Sequence, residues 1–148
     1  MKPALPDLAS PLRKCRGVLV DSNVLLDVAT NNSVWAEWSA KALAECANHF
    51  QLIVNPIVYA EVSISYSSIE SLNAALPARL YLREPLPWEA AFMAGRCFLS
   101  YRRRGGSRPT PLPDFYIGAH AAIENLAILT RDVTRYRTCF PTVELLAP

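Results

Sequence analysis

Four carboxylates stand where a folded chain has little ordinary use for charge. Asp21 closes the apolar run Gly17-Val18-Leu19-Val20, and Glu61 is the only charge between Ile57 and Ile64. Asp114 follows Pro113 at the head of an apolar helical stretch, and Asp132 comes three residues after Leu126-Ala127-Ile128-Leu129. Each has a plain alternative. Asp21, Asp114 and Asp132 could cap or open helices, where negative charge suits the N-terminal dipole. Glu61 could meet a distant cation, although no Lys or Arg lies three or four residues from it. If the four share one rim they repel strongly, because a like pair about 4 Å apart costs on the order of 4 kcal/mol at an effective dielectric near 20. Such a cluster persists by sharing protons or by holding cations. Oxygen donors with few histidines favour Mg²⁺ or Mn²⁺ over zinc. The chemistry this implies is metal-assisted phosphodiester hydrolysis.

The elements that must position these acids can be read from the apolar pattern. Gly17 to Val20, Leu52 to Val54 and Leu126 to Leu129 are short apolar runs without alternation, as in strands buried on both faces of a parallel sheet. Leu80 to Leu82 and Thr142 to Leu146 are further strand candidates. Between them, helical spacing predicts a short helix after Ser22, then helices over about 34–48, 57–66, 69–76, 88–103 and 114–124. Asn55 is placed to cap the third of these, with Pro56 in its first turn. Gly118 and Ala121 share a face with Asp114 and leave room beside it. Strands alternating with helices give parallel crossovers and a sheet covered on both sides. Asp21 and Asp132, at the carboxyl ends of two such strands, would face one crevice, which is where open α/β sheets bind ligands.

Composition bounds the rest. The 148 residues fit one domain, 51% hydrophobic and 19% charged, with a net charge of +2 that is too small to argue for nucleic acid by itself. Cys15, Cys46, Cys97 and Cys139 lack zinc-ligand spacing and read as small hydrophobes in a reducing compartment. Residues 1–16 mix prolines with charge, lack the apolar core of a signal peptide, and read as a flexible extension before a domain spanning 17–148. No run is long enough to span a membrane, so a cytoplasmic location is expected.

The motifs themselves resemble a known family. Val18-Leu19-Val20-Asp21-Ser22-Asn23-Val24-Leu25 is similar to the opening motif of PIN-domain nucleases, and Asn55-Pro56-Ile57-Val58-Tyr59-Ala60-Glu61 to their second. Asp114-Phe115-Tyr116-Ile117-Gly118-Ala119-His120-Ala121 resembles the third, and Leu129-Thr130-Arg131-Asp132, with Tyr136 and Phe140 beyond it, the fourth. The resemblance covers residues 17–148 and is greatest to VapC-type toxins of bacterial toxin–antitoxin pairs. It implies an α/β/α sandwich with a central, mainly parallel sheet and Mg²⁺- or Mn²⁺-dependent endoribonuclease activity. It also implies a small protein antitoxin as partner, and homodimers are usual in the family. Asp21, Glu61, Asp114 and Asp132 match its acidic metal-site positions, and Asn23 and Thr130 match the polar residues that orient them.

Other signals are more open. Arg102, Arg103, Arg104 and Arg108 could contact RNA phosphate, or could be a solvated helix end where cations suit the dipole. Trp35, Trp38 and Trp88 read as core; Trp35 or Trp38, if exposed, would suit an antitoxin groove. His49 and His120 lack partners at ligand or triad spacing. A phosphohydrolase of the haloacid-dehalogenase type would need a second Asp at position 23, where this chain has Asn23. A PIN-like module that only binds RNA or protein would be marked by loss of acids, and all four are present.

Overall fold

The computed structural model describes residues 4–5, 14–108 and 112–148. In chain order its elements are β1 (Gly17–Val20), α1 (Ser22–Ala29), α2 (Ala36–His49), β2 (Leu52–Val54), α3 (Pro56–Ser63) and α4 (Ile69–Ala75). There follow β3 (Tyr81–Arg83), α5 (Trp88–Arg103), α6 (Pro113–Glu124), β4 (Leu126–Leu129), α7 (Thr134–Cys139) and β5 (Leu145–Leu146). The expected extension, residues 1–16, falls largely outside the described residues, as does part of the loop before Asp114.

The sheet has the order β3-β2-β1-β4-β5, and every pairing is parallel. β1 lies at its centre, with Val18 opposite Leu52 on one side and Val20 opposite Leu129 on the other. All four residues of β1 and of β4 are buried, which is why neither alternates. The chain builds outward from β1 through β2 to β3, then returns to lay β4 on the other side of β1. That reversal makes the gap beyond the ends of β1 and β4 a topological switch point, where the connecting segments diverge and leave a crevice. Helices cover both faces, giving the three-layer α/β/α arrangement, and the core joins Leu19, Ile53 and Ile128 to Phe115 and Ile117 of α6.

Several boundaries differ from expectation for local reasons. β5 is two residues long because the Val143 N–H turns back to the Phe140 carbonyl at 3.1 Å. β3 starts one residue late because the Leu80 and Tyr81 N–H groups both bond the Pro77 carbonyl. α3 begins as expected, Asn55 Oδ1 accepting from the Val58 N–H at 2.9 Å, but it is not buried all round. Only Val58 and Val62 are fully covered, and Ile64 beyond its end is 87% exposed. Trp38 is core, its indole N–H donating to the Ala4 carbonyl, whereas Trp88 stands in solvent, contrary to expectation. All four cysteines are free, and only Cys46 is fully buried. Among the described residues no helix is long and apolar enough to cross a membrane.

Candidate active site

Asp21 leaves β1 in extended conformation and precedes α1, yet its side chain makes no cap hydrogen bond. The carboxylate turns into the crevice instead. Its Oδ2 accepts from Tyr136 Oη at 2.8 Å, from Thr130 Oγ1 at 2.8 Å and from Asn23 Nδ2 at 3.4 Å. Its Oδ1 accepts from Ser22 Oγ at the longer distance of 3.4 Å. One oxygen is therefore held by three side-chain donors, while among the described residues Ser22 is the one side chain that donates to the other. Burial pushes the Asp21 carboxyl above its ordinary range, and the hydroxyl donors pull it back. Burial and the Asp21 charge keep the Tyr136 hydroxyl protonated well above its usual range, so it acts as donor. Thr130 spends its one proton on Asp21 and accepts from Asn23 Nδ2 at 3.2 Å and from the Asp132 N–H at 3.1 Å.

The other acids reach the same crevice from three more elements. Glu61, half-buried on α3, accepts at Oε1 from Ser22 Oγ at 3.0 Å, so one hydroxyl touches both Asp21 and Glu61. Burial, with Asp21 adding, raises its carboxyl above the usual range. Asp114, in the first turn of α6, is pushed up to about 6 by burial and then by the Asp21 charge, with Glu61 and Asp132 adding and Arg135 opposing. Arg135 Nε lies 3.5 Å from Asp114 Oδ2. Asp132 is exposed at the rim and accepts from the Thr134 N–H at 3.1 Å, the turn-forming role that was its plain alternative. The expected room beside Asp114 is absent, because a Cβ at Gly118 would come within 2.2 Å of the Phe140 ring. The small residue admits a core aromatic, not a ligand.

Among the described residues, no three His, Cys, Asp or Glu side chains are gathered closely enough to hold an ion as they stand. The donor set nevertheless suits a hard cation. Its atoms are all oxygens, Asp21 and Glu61 have no salt-bridge partner among the described residues, and burial together with their charges raises the Asp114 carboxyl to about 6. Of the four arginines proposed for phosphate, Arg104 shares a cavity with one of the acids, Asp132. It lines a space of about 550 Å³ together with Asp132 and Arg135. Arg102 turns away to the Arg108 carbonyl, at 2.9 Å, and Arg103 is exposed.

Several participants were not picked out by sequence reasoning. Ser22 and Tyr136 were visible only as a helix start and as part of a motif, yet both bond Asp21 directly. Arg135 carried no signal at all. Asp27 is a fifth, buried acid, but it is spoken for: Arg131 grips it with two bonds of 2.7 and 2.9 Å, and Ser39 Oγ adds a third at 2.8 Å. This pair ties the segment carrying Thr130 and Asp132 to α1 and α2. The spacing of Asp27 four residues after Asn23, on one face of α1, was the available hint. His120 is buried and bonded to Asn55 through Nδ1 at 3.0 Å, away from the acids, as expected of a structural histidine.

Residues 18–141 match the family model described as PIN domain. No curated protein matches the chain. Among solved structures, the fold is similar to a chain of VapBC2 from Rickettsia felis bound to a DNA fragment from their promoter, with TM-score 0.66 and 16% identity over 88% of this chain and 97% of that one. VapBC-1 from nontypeable Haemophilus influenzae gives TM-score 0.65 at 18% identity, covering 88% and 96%. FitAcB from Neisseria gonorrhoeae gives 0.62 at 19%, covering 88% and 97%. At these identities the likeness is one of fold.

Proposed function

The chain belongs to the PIN-domain family, and from that premise we propose that it is a metal-dependent endoribonuclease, the toxin of a toxin–antitoxin pair. The observation that carries the reading is the gathering of acids at the switch point, where burial first, and then Asp21, Glu61 and Asp132, oppose ionisation of Asp114 against the pull of Arg135. Asp21, Glu61 and Asp114, with Asp132 at the rim, are the residues that would hold Mg²⁺ or Mn²⁺. Such an ion, when bound, activates water and neutralises charge developing at phosphorus.

The chain's own contribution is positional. Tyr136, Thr130 and Asn23 fix one oxygen of Asp21 and so aim the other into the crevice. Ser22 sets the spacing of Asp21 and Glu61. Arg135 tempers the charge of Asp114, and Arg104 offers a cation to the RNA backbone from the wall of the adjoining cavity. The similar folds come from complexes named VapBC and FitAcB, which supports an antitoxin as partner and, with the family resemblance, a homodimer working on RNA in the cytoplasm. A second reading, a PIN-like module that binds RNA or protein without cutting, is favoured by one observation: the acids do not close on a common point.

Purified protein and a structured RNA separate the two. Cleavage is expected with Mg²⁺ or Mn²⁺, absent with a chelator, and reduced at least about 100-fold in Asp21→Asn, since even outer-shell changes at metal sites cost about 10–100-fold. A folded Asp21→Asn protein that cuts as well as the parent would mean that the cleavage comes from a contaminant or from a different site, and a parent that cuts with neither metal would leave the binding module standing.

A further inference from the structure

Three sulfur-bearing side chains from two elements collect in one place. Met93 and Cys97, four residues apart on one face of α5, and Cys139, the last residue of α7, line a cavity of about 300 Å³ together with Arg104. The two cysteines lie close enough that Cys139 opposes ionisation of Cys97. Burial first, and then Cys139, raises the Cys97 thiol above its ordinary range, with Arg104 opposing. Arg104 Nη2 also donates to Cys139 Sγ at 3.9 Å. Both cysteines are half-buried, neither sealed in the core. The remaining thiols are placed differently. Cys46 is fully buried, and its thiol is pushed up to about 12 by burial and then by Glu45. Cys15 lies beside Glu144 in a separate cavity that no second cysteine lines, and burial, then that carboxylate, raises its thiol.

Two thiols that share a cavity with a guanidinium are equipped for two-electron oxidation by a hydroperoxide. The thiolate is the attacking form. The Cys139 sulfur attacks one peroxide oxygen, the O–O bond breaks, and the sulfur becomes a sulfenic acid while the other oxygen leaves as hydroxide and takes a proton to become water. Cys97, on losing its proton, attacks the sulfenic sulfur. An S–S bond forms and the sulfenic oxygen leaves as a second water. Two thiols are oxidised and one peroxide is reduced to two waters. Arg104 supplies positive charge beside the attacking sulfur and the departing hydroxide. The pair also sits where oxidation is felt. Arg104 and Cys139 line the cavity that holds Asp132 and Arg135, and α7 carries Tyr136, which holds Asp21.

We propose that Cys97 and Cys139 are a redox-responsive dithiol, which a hydroperoxide converts to an intrachain disulfide between α5 and α7 with Arg104 assisting. This is independent of whether the chain cuts RNA. The test treats the reduced, folded full chain with equimolar hydrogen peroxide, alkylates the thiols that remain, and digests with trypsin without reductant. The expected product is peptide 97–102 joined through sulfur to the peptide that begins at Thr138, lighter than the separate pair by two hydrogens, in protein that still runs as a single chain on a non-reducing gel. A disulfide needs Cα atoms within about 7 Å, so its yield reports whether α5 and α7 approach that closely. Cys97→Ser should leave Cys139 as a sulfenic acid that dimedone traps. Arg104→Gln should slow the linkage at least about 10-fold, since a hydrogen bond to a charged group contributes that much. In urea the preference for this pair should vanish, because all four cysteines then compete. Peroxide that ends on Met93 as sulfoxide or on single cysteines without a link overturns the dithiol, as does a link through Cys15 or Cys46 or an equal yield in urea. An unchanged rate in Arg104→Gln overturns the role of the arginine.

Discussion

Asp114 shows how the candidate site trades stability for negative potential. Its carboxyl titrates near 6 instead of its ordinary 3.8. Above about pH 6 the folded chain therefore holds an anion that the unfolded chain would carry at lower cost. That cost vanishes as pH falls toward the unfolded value, because the folded state then binds the extra proton. Asp114→Asn is accordingly expected to stabilise the metal-free chain at pH 7.5 by about 1–2 kcal/mol, the shift being discounted for partial exposure. At pH 4.5 the gain should be much smaller. Urea denaturation in chelator at both pH values checks this, and equal gains would show that ionising the buried Asp114 beside Asp21 is not what destabilises the parent. Asp27 makes the contrast: another aspartate and more deeply buried than Asp114, it is matched by Arg131 and Ser39 and so has no spare charge to offer.

At the scale of elements, α6 is positioned by a missing side chain. Phe140 fills the space where a Cβ on Gly118 would sit. Gly118→Ala should force α6 and Phe140 apart and cost about 1–3 kcal/mol, as overpacking does, despite alanine's better helix propensity. Chemical denaturation reads the loss, and a neutral or stabilising result would mean that the ring relocates freely. This contact also marks where sequence reading stops. The unbroken apolar runs of β1 and β4 are legible because burial on both faces leaves no polar position, and with them the places of Asp21 and Asp132. Asn55 and Pro56 are legible because capping is local. The neighbours of Gly118, the exposure of Trp88 and the partners of Asp27 are set by elements far along the chain, which local pattern does not encode. Glu61 was singled out for the wrong surroundings: its helix is open on one side, and its unusual environment comes from Asp21 and Ser22 across the crevice.

For the whole molecule, a net charge of +2 conceals a separation, with carboxylates at the switch point and arginines around the end of α5. Divalent cation should therefore act as a structural ligand as well as a cofactor. At a concentration near 100 times the dissociation constant it would stabilise the fold by about 2.7 kcal/mol, a rise of several degrees in Tm. The parent should show that rise in Mg²⁺ or Mn²⁺ and Asp21→Asn should not; equal shifts in both proteins would place the ion elsewhere. The order of the strands has a further consequence, in time. β4, the partner of β1, and the Thr130 and Tyr136 hydroxyls that hold Asp21 follow it far along the sequence, the hydroxyls by 109 and 115 residues. A ribosome must release more than about a hundred residues beyond Asp21 before the acids can be aligned. If the chain cuts RNA, the long stretch of message that encodes those residues has been read before there is an enzyme to destroy it.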